Sequence, residues 1–243
     1  MILEVDLGNT RCKWRLLGSG APVCGVVETA SLRRGVPPET WPAFPVTRVR
    51  AANVAGVEAA EGLANVVKAL GWGRVEFARV ERLCAGVTCG YRDLSRLGVD
   101  RWLAVLGAHR HFARPCLVAD CGSAVTLDLL GAGGRHLGGY IVPGLALMRR
   151  ALFRDTDAVK VPDTVEPGMS LVAGRDTDEA VNRGLVLMVL GAIEEAMKTL
   201  AAEAPSPLLV VTGGDGPILA SLAEHATELV PDLVLDGLAL SNP

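Results

Sequence analysis

Two short stretches of this chain share one pattern: an apolar run, an Asp, one residue, a Gly, then small hydroxyl or amide side chains. The first is Ile2-Leu3-Glu4-Val5-Asp6-Leu7-Gly8-Asn9-Thr10, followed by Arg11, Cys12 and Lys13. The second is Cys116-Leu117-Val118-Ala119-Asp120-Cys121-Gly122-Ser123. An apolar run that ends at Asp-x-Gly reads as a buried strand feeding a tight turn. Gly8 lets the backbone approach a ligand closely, and the exposed N–H groups of such a turn form a concavity for anions. Asn9 and Thr10 add hydrogen-bond donors, and Lys13 adds a positive charge. Asp6 and a phosphate are both anionic, so Asp6 needs a bridging cation or a water, as carboxylates do in metal–phosphate sites. Asp120 is likewise a candidate cation ligand, and Ser123, in the position of Asn9, can hydrogen-bond a phosphate oxygen. One such turn alone reads equally well as an Asx-turn closing a hairpin. The second copy favours phosphate binding, and hence nucleotide-dependent phosphoryl transfer by two related halves. Cys121 reads as a small buried residue.

Four further clusters carry weaker signals. Tyr91 precedes Gly98-Val99-Asp100-Arg101, where Asp100 lies at the start of a helical pattern. Asp100 is either a helix cap or a base that accepts a proton from a substrate hydroxyl, a role that contributes roughly 10²–10⁴-fold. Arg101 is either a surface partner of Asp100 or Asp93, or a fork for a carboxylate or phosphate. Gly138-Gly139-Tyr140-Ile141-Val142-Pro143-Gly144 reads as a strand-to-helix turn with room for close packing. Gly174-Arg175-Asp176-Thr177 opens a long helix, where Thr177 can cap it or donate to a substrate. Thr212-Gly213-Gly214-Asp215-Gly216 follows a strand and can lie flat against an adenine or ribose. No GxxxxGK[ST] occurs, and no GxGxxG falls between a strand and a helix, so P-loop and dinucleotide-fold readings fail.

These residues need strands and helices to hold them. Strands are expected at 2–6, 14–17, 46–54 and 75–78, and helices at 58–70 and 100–112, with Leu103, Val105 and Leu106 turned inward. The stretch 21–45 is expected to hold a short strand and loops, and 86–92 a loop. Arg114-Pro115 breaks the pattern and marks a boundary between halves, 1–113 and 114–243. The second half reads as strands at 116–120, 125–130 and 136–142, with a Gly-rich turn at 131–134. A helix from Pro143-Gly144 to about 153, an irregular stretch over 154–170 and a helix from 177 to about 203, capped by Asp176 or Thr177, follow. A strand at 208–211, a helix at 217–225 and a last strand at 229–235 complete the expectation. Strands alternating with helices and hairpins define an α/β fold with mixed sheets. The two Asp-x-Gly copies lie too far apart for a solenoid repeat and suit duplication of a whole domain.

Composition narrows the function classes. A net charge of −3 with no long run of one sign argues against a nucleic-acid surface. The longest apolar stretch, 185–193, is too short to span a bilayer. Met1-Ile2-Leu3 reads as a first strand, not as a signal peptide. The six cysteines include no CxxC pair and complete no zinc pattern with the His residues, so reduced thiols in the cytoplasm are expected. The run Leu185 to Leu190 is apolar all round and should be buried in a core or an interface.

Taken in order, these elements resemble the type III pantothenate kinases of bacteria, part of the acetate and sugar kinase, Hsp70 and actin superfamily. Asp6-x-Gly-Asn-Thr-x-x-Lys13 is similar to that family's first phosphate motif, Gly98-x-Asp100-Arg101 to its central motif, and Asp120-x-Gly-x-Ala to its second phosphate motif. The resemblance runs from the first strand to about residue 216. It implies two duplicated actin- and ribonuclease-H-like domains with a cleft between them. The half 1–113 would carry the first phosphate motif and the catalytic Asp; the half 114–243 would carry the second motif, a long interface helix and the Gly-rich nucleotide turn. The implied reaction is ATP-dependent phosphorylation of pantothenate to 4′-phosphopantothenate, the first step of coenzyme A synthesis. Asp100 would be the general base. Tyr91, Gly98, Val99, Asp100, Arg101 and Thr177 would bind pantothenate. Asp6, Leu7, Gly8, Asn9, Thr10, Arg11, Cys12, Lys13 and Ser123 would contact ATP. Asp120 would bind a monovalent cation, K⁺ or NH₄⁺, in addition to the Mg²⁺ carried by ATP, and the enzyme would be a cytoplasmic homodimer. Ser123 stands where many members have Thr, which keeps the hydroxyl. Two other readings remain: a kinase of the same superfamily acting on a sugar or another small acid, and a non-catalytic nucleotide-binding accessory or regulatory relative. Absence of an extra subdomain argues against the first, and retention of Lys13, Asp100 and Asp120 against the second.

Overall fold

A computed structural model describes residues 1–41, 46–156 and 160–243; parts of the expected 21–45 and 154–170 loops lie outside the described residues. The chain forms two compact units. The first comprises Met1–Ala85, Tyr91–Arg110 and Leu233–Pro243, and the second Gly86–Gly90 and His111–Asp232.

In the first unit, strands β1 (Ile2–Leu7), β2 (Arg11–Leu17) and β3 (Val23–Glu28) form an antiparallel meander. Helix α1 (Thr29–Arg33) follows directly. Strand β4 (Arg48–Asn53) then pairs parallel to β1, helix α2 (Val57–Ala69) intervenes, and β5 (Val75–Phe77) pairs parallel to β4. The sheet order is therefore β3-β2-β1-β4-β5. Alternation along β1 sends Leu3, Val5 and Leu7 into a core with Trp14, Val49, Leu63 and Val67, the last two from α2.

The opposite face of β1 is unusual, because it carries a fully buried carboxylate, Glu4. Glu4 lies in register with Arg15 on β2 and with Arg50 on β4. Arg15 Nε donates to Glu4 Oε2 at 2.5 Å, and Arg50 Nη2 donates to Glu4 Oε1 at 2.6 Å. A buried charge is tolerable only when paired and hydrogen-bonded, and here two neighbouring strands supply the partners.

The short strands β6 (Leu83–Cys84) and β7 (Val87–Thr88) come next in sequence, the latter inside the expected 86–92 loop. Asp93 then opens a 3₁₀ turn over Leu94–Arg96, accepting from Ser95 N at 3.0 Å, before helix α3 (Val99–Phe112). Every α3 residue from Arg101 to Ala108 is buried, not only one apolar stripe.

The second unit repeats the plan. Strands β8 (Cys116–Cys121), β9 (Ala124–Leu130) and β10 (His136–Pro143) are antiparallel neighbours, and β11 (Leu208–Thr212) and β12 (Thr227–Leu229) continue the sheet in parallel with β8. The order β10-β9-β8-β11-β12 matches that of the first sheet strand for strand. Helices α4 (Leu145–Asp155), α5 (Thr177–Glu203) and α6 (Gly216–Leu222) flank it. Asp176 caps α5 by accepting from Glu179 N at 2.9 Å. From α5, Leu185, Val186, Val189, Ile193 and Leu200 pack against Leu117, Leu127 and Val211.

The expected last strand over 229–235 does not form. β12 ends at Leu229, and helix α7 (Leu233–Ser241) follows. A short apolar run such as Leu233-Val234-Leu235 satisfies either period, and tertiary packing decides between them. A Cβ at Gly107 would stand 2.5 Å from the Leu233 carbonyl oxygen, and one at Gly237 would collide with the Leu103 carbonyl, so α7 lies directly on the α3 backbone. Arg15 Nη1 also holds Asp236 at 2.6 Å, and Arg50 Nη1 donates to Asn242 O at 2.6 Å. These contacts place 233–243 in the first unit, whereas a cut after 113 assigns that segment to the second half.

Candidate active site

The first Asp-x-Gly motif is the β1–β2 hairpin. Asp6 stands opposite Lys13 and Leu7 opposite Cys12, so Gly8, Asn9 and Thr10 make the turn. Gly8 N donates to Arg11 O at 3.1 Å, and a side chain at residue 8 would come within 2.8 Å of that oxygen. Thr29 braces the turn from the start of α1: its Oγ1 donates to Gly8 O at 2.6 Å and its N to Thr10 O at 3.1 Å. Asn9, Thr10 and Arg11 are exposed, and Asp6 and Lys13 are half-buried. Leu7 and Cys12 are fully buried in the core, and the Leu7 carbonyl accepts from Val54 N at 3.0 Å. Burial, with the Asp6 charge adding to it, pushes the Cys12 thiol up to about 12.

Tyr91, Gly98, Asp100 and Arg101 come together in the same unit. Asp100 lies in the first turn of α3, and its Oδ1 accepts from Arg101 N at 2.8 Å. A Cβ at position 98 would sit 2.5 Å from that Oδ1, so the spacing Gly-x-Asp clears room for the carboxylate. Val99, half-buried, is the first residue of the helix. Arg101 is not a surface residue paired with Asp93. Its side chain is buried, Nη1 donates to Tyr91 Oη at 2.7 Å, and the guanidinium lies 5.5 Å from the Tyr91 ring centre. Arg82 went unnoticed in the sequence; its Nη1 donates to Tyr91 O at 2.8 Å. No motif announces it, because it acts on a main-chain oxygen that any residue type provides.

The second motif is the β8–β9 hairpin of the other unit. Asp120 is the penultimate residue of β8, half-buried and in register with Thr212 on β11, and Ser123 is exposed at the turn. Two glycines pack on this turn. Gly144 N donates to Ser123 O at 3.2 Å, and a side chain at 144 would strike the Gly122 carbonyl. Gly213 adopts φ +88°, and its Cβ would lie 2.6 Å from Asp120 Oδ1. Asp215 N donates to Cys121 O at 2.9 Å. The Gly-rich segments 138–144 and 212–216 thus converge on the Asp120 turn. Asp120 and Asp215 both act on Cys121, whose thiol burial pushes up first and the two carboxylates push further. The Cys121 side chain is fully buried in the core of this unit. The remaining donors are oxygens, the set that a hard cation prefers. Among the described residues, no group of three or more His, Cys, Asp or Glu side chains is placed to hold a metal ion.

Thr177 is exposed at the first turn of α5. With Arg175 and Asp176 it lines one end of a cavity of about 800 Å³, whose walls include Leu152, Val181 and Met188. The apolar run on α5 divides: Leu185, Val186 and Val189 enter the core, while Leu187 and Met188 remain 48% and 63% exposed.

A mixed five-stranded sheet repeated in two units, each with an Asp-x-Gly hairpin on its central strand, is the fold of sugar kinases and actin-like ATPases. A protein described as a 2-dehydro-3-deoxygalactonokinase from Sinorhizobium meliloti shares it with a TM-score of 0.59 at 14% identity, over 99% of this chain and 98% of that one. A protein described as a Baf family transcriptional activator from Campylobacter jejuni superposes with a TM-score of 0.64 at 23% identity, over 98% and 95% of the two chains. The family model for type III pantothenate kinase matches residues 2–199. Type III pantothenate kinases of Pseudomonas paraeruginosa and Pseudomonas syringae pv. syringae are 39% and 40% identical, each over 100% of this chain and 99% of the relative. The chain belongs to the type III pantothenate kinase family.

Proposed function

We propose a division of labour by which this chain carries out the family's reaction, the ATP-dependent phosphorylation of pantothenate to 4′-phosphopantothenate at the entry to coenzyme A biosynthesis. The observation that carries it is the adjacency in sequence of a carboxylate and a buried guanidinium at the start of α3. Asp100 is held clear by Gly98 and tied to the helix N-terminus, and Arg101 is fixed on Tyr91. Asp100 accepts the proton of the pantothenate primary hydroxyl as that oxygen attacks the γ-phosphorus of ATP; the bond from γ-phosphorus to the bridging oxygen breaks, and ADP leaves. Arg101 and Tyr91, with Gly98, Val99 and Thr177, hold the acceptor through its carboxylate, amide and hydroxyl groups. The hairpin Asp6 to Lys13 offers N–H groups, the Asn9 and Thr10 side chains and the Lys13 ammonium to the phosphates, and Ser123 offers a hydroxyl.

ATP brings Mg²⁺, and the carboxylate of Asp120, a hard oxygen donor, suits K⁺ or NH₄⁺. A bound cation there would offset negative charge near the phosphates. Purified protein with ATP and Mg²⁺ is expected to release ADP only when pantothenate is present, and a panel of sugars and other small acids should fail to replace it. In the same assay, exchanging K⁺ or NH₄⁺ for Na⁺ should lower turnover; equal activity in Na⁺ would remove the cation from Asp120.

The same reading makes the enzyme a cytoplasmic homodimer. Exposed Leu187 and Met188, beside an open cavity on α5, support a second copy against this helix. Free thiols at Cys12, Cys84, Cys116 and Cys121 suit a reducing compartment. No helix among the described residues is long and apolar enough to cross a membrane. Met188→Glu places a charge on the exposed face and is expected to shift the protein from dimer to monomer in size-exclusion chromatography with light scattering. A parent that already runs as a monomer would end the dimer reading.

A further inference from the structure

Helix α7 closes on α3 more tightly than a packing element needs to. At Gly237 the helix meets the Leu103 carbonyl where no side chain fits, and at Gly107 α3 meets the Leu233 carbonyl in return. Helices with ordinary side chains at the crossing sit about 8–10 Å apart; paired glycines allow the two backbones to touch. Leu103 lies one turn along α3 from Asp100, on the same rigid helix. α7 is also tied to the sheet. Asp236 receives Arg15 Nη1 at 2.6 Å, and Arg15 and Arg50 share the fully buried Glu4. Burial by itself would depress the Arg15 guanidinium, but its bonds to Asp236 and Glu4 outweigh that and raise its pKa. Glu4 stands two residues before Asp6 on β1, and alternation puts both on one sheet face. One chain of contacts therefore runs from the strand bearing the first phosphate turn, through α7, to the helix bearing Asp100.

We infer that α7 is a brace that sets α3 against β1, and that Gly237 and Asp236 are positioning residues for phosphoryl transfer. The inference rests on the reading of Asp100 as the general base. A side chain at 237 must push the Leu103 carbonyl away and carry the first turn of α3 with it. A displacement of about 1 Å of a reacting group can cost on the order of 10²-fold in rate. The β1–β2 turn is made without α7, so nucleotide binding should be spared.

The test uses the full chain with ATP, Mg²⁺, K⁺ and pantothenate, with turnover normalised to the measured number of nucleotide-binding sites. Gly237→Ala is expected to lower kcat by about 10- to 100-fold with the KM for ATP unchanged. A purely structural role would instead reduce the number of binding sites and leave kcat per site intact, and that result overturns the inference. Asp236→Asn and Asp236→Glu cover the case in which Gly237→Ala does not fold. Loss of kcat per site in the Asn variant, restored in the Glu variant, supports the brace; parental kcat in both overturns it. Asp100→Asn run alongside separates the two ideas. If it keeps full turnover, the base assignment fails on its own account. If it is inactive while Gly237→Ala or Asp236→Asn turns over like the parent, the base stands and the brace falls.

Discussion

Asp100→Asn should reduce kcat by roughly 10²–10⁴-fold, the range a positioned general base contributes, with ATP affinity close to that of the parent. The substitution keeps shape and volume. Its amide oxygen can still accept from Arg101 N, the 2.8 Å contact seen for the carboxylate, so the start of α3 should survive. What disappears is the ability to take a proton. Gly98 leaves no room for a side chain that might substitute, since a Cβ there would already lie 2.5 Å from Asp100 Oδ1. Steady-state kinetics with pantothenate, paired with calorimetric titration of a non-hydrolysable ATP analogue, separates the two effects. Undiminished turnover would take Asp100 out of the chemistry; lost nucleotide binding would mean that its carboxylate serves the ATP site instead.

The largest stability effect is expected at Glu4. Glu4→Ala leaves the Arg50 side chain buried opposite an empty space and takes from Arg15 one of its two carboxylates. Removing one member of a buried, hydrogen-bonded ion pair typically costs about 3–5 kcal/mol, because the remaining charge is stranded. For a chain of this length each kcal/mol is worth about 2–4 °C in Tm, so a large shift should appear in thermal unfolding followed by circular dichroism. Glu4→Gln keeps an acceptor oxygen and should fall between the parent and the Ala variant. A Glu4→Ala protein that melts with the parent would show that the network contributes nothing net. This experiment is independent of catalysis and needs no ligand.

Several parts of the candidate site were legible from local pattern alone. Asp-x-Gly between an apolar run and small polar residues specifies strand then turn, because the glycine requirement and the strand period are local. The repeat of that pattern gave the duplication, and both copies do end the central strand of a five-stranded sheet. Gly98-x-Asp100 was legible for a similar reason: its spacing answers to a close contact within the same turn. Asp176 before a helical run announced the cap on α5, again a local effect. The end of the chain was not legible. Leu233-Val234-Leu235 fits a strand or a helix equally, and the choice was made by the α3 backbone and the Arg15–Asp236 pair, both distant in sequence.

The buried network shows the same limit from another side. Glu4, Arg15 and Arg50 look like ordinary surface charges in a strand pattern. Only the sheet register places the two guanidinium groups on either side of one carboxylate, and α7 brings Asp236 onto one of them. Likewise, Gly144 and Gly213 occur in recognisable Gly-rich segments, but their purpose, clearing space around the Asp120 turn, depends on which strands lie next to one another. By itself the amino-acid sequence pointed to the kind of chemistry, since the proposed phosphate turns, candidate base and candidate cation ligand depend on residue type at short spacing. The tertiary structure decided what holds those groups in place: which glycine meets which carbonyl, which strands share a carboxylate, and which unit the last helix joins. Those are contacts between segments far apart along the chain, and no local period encodes them.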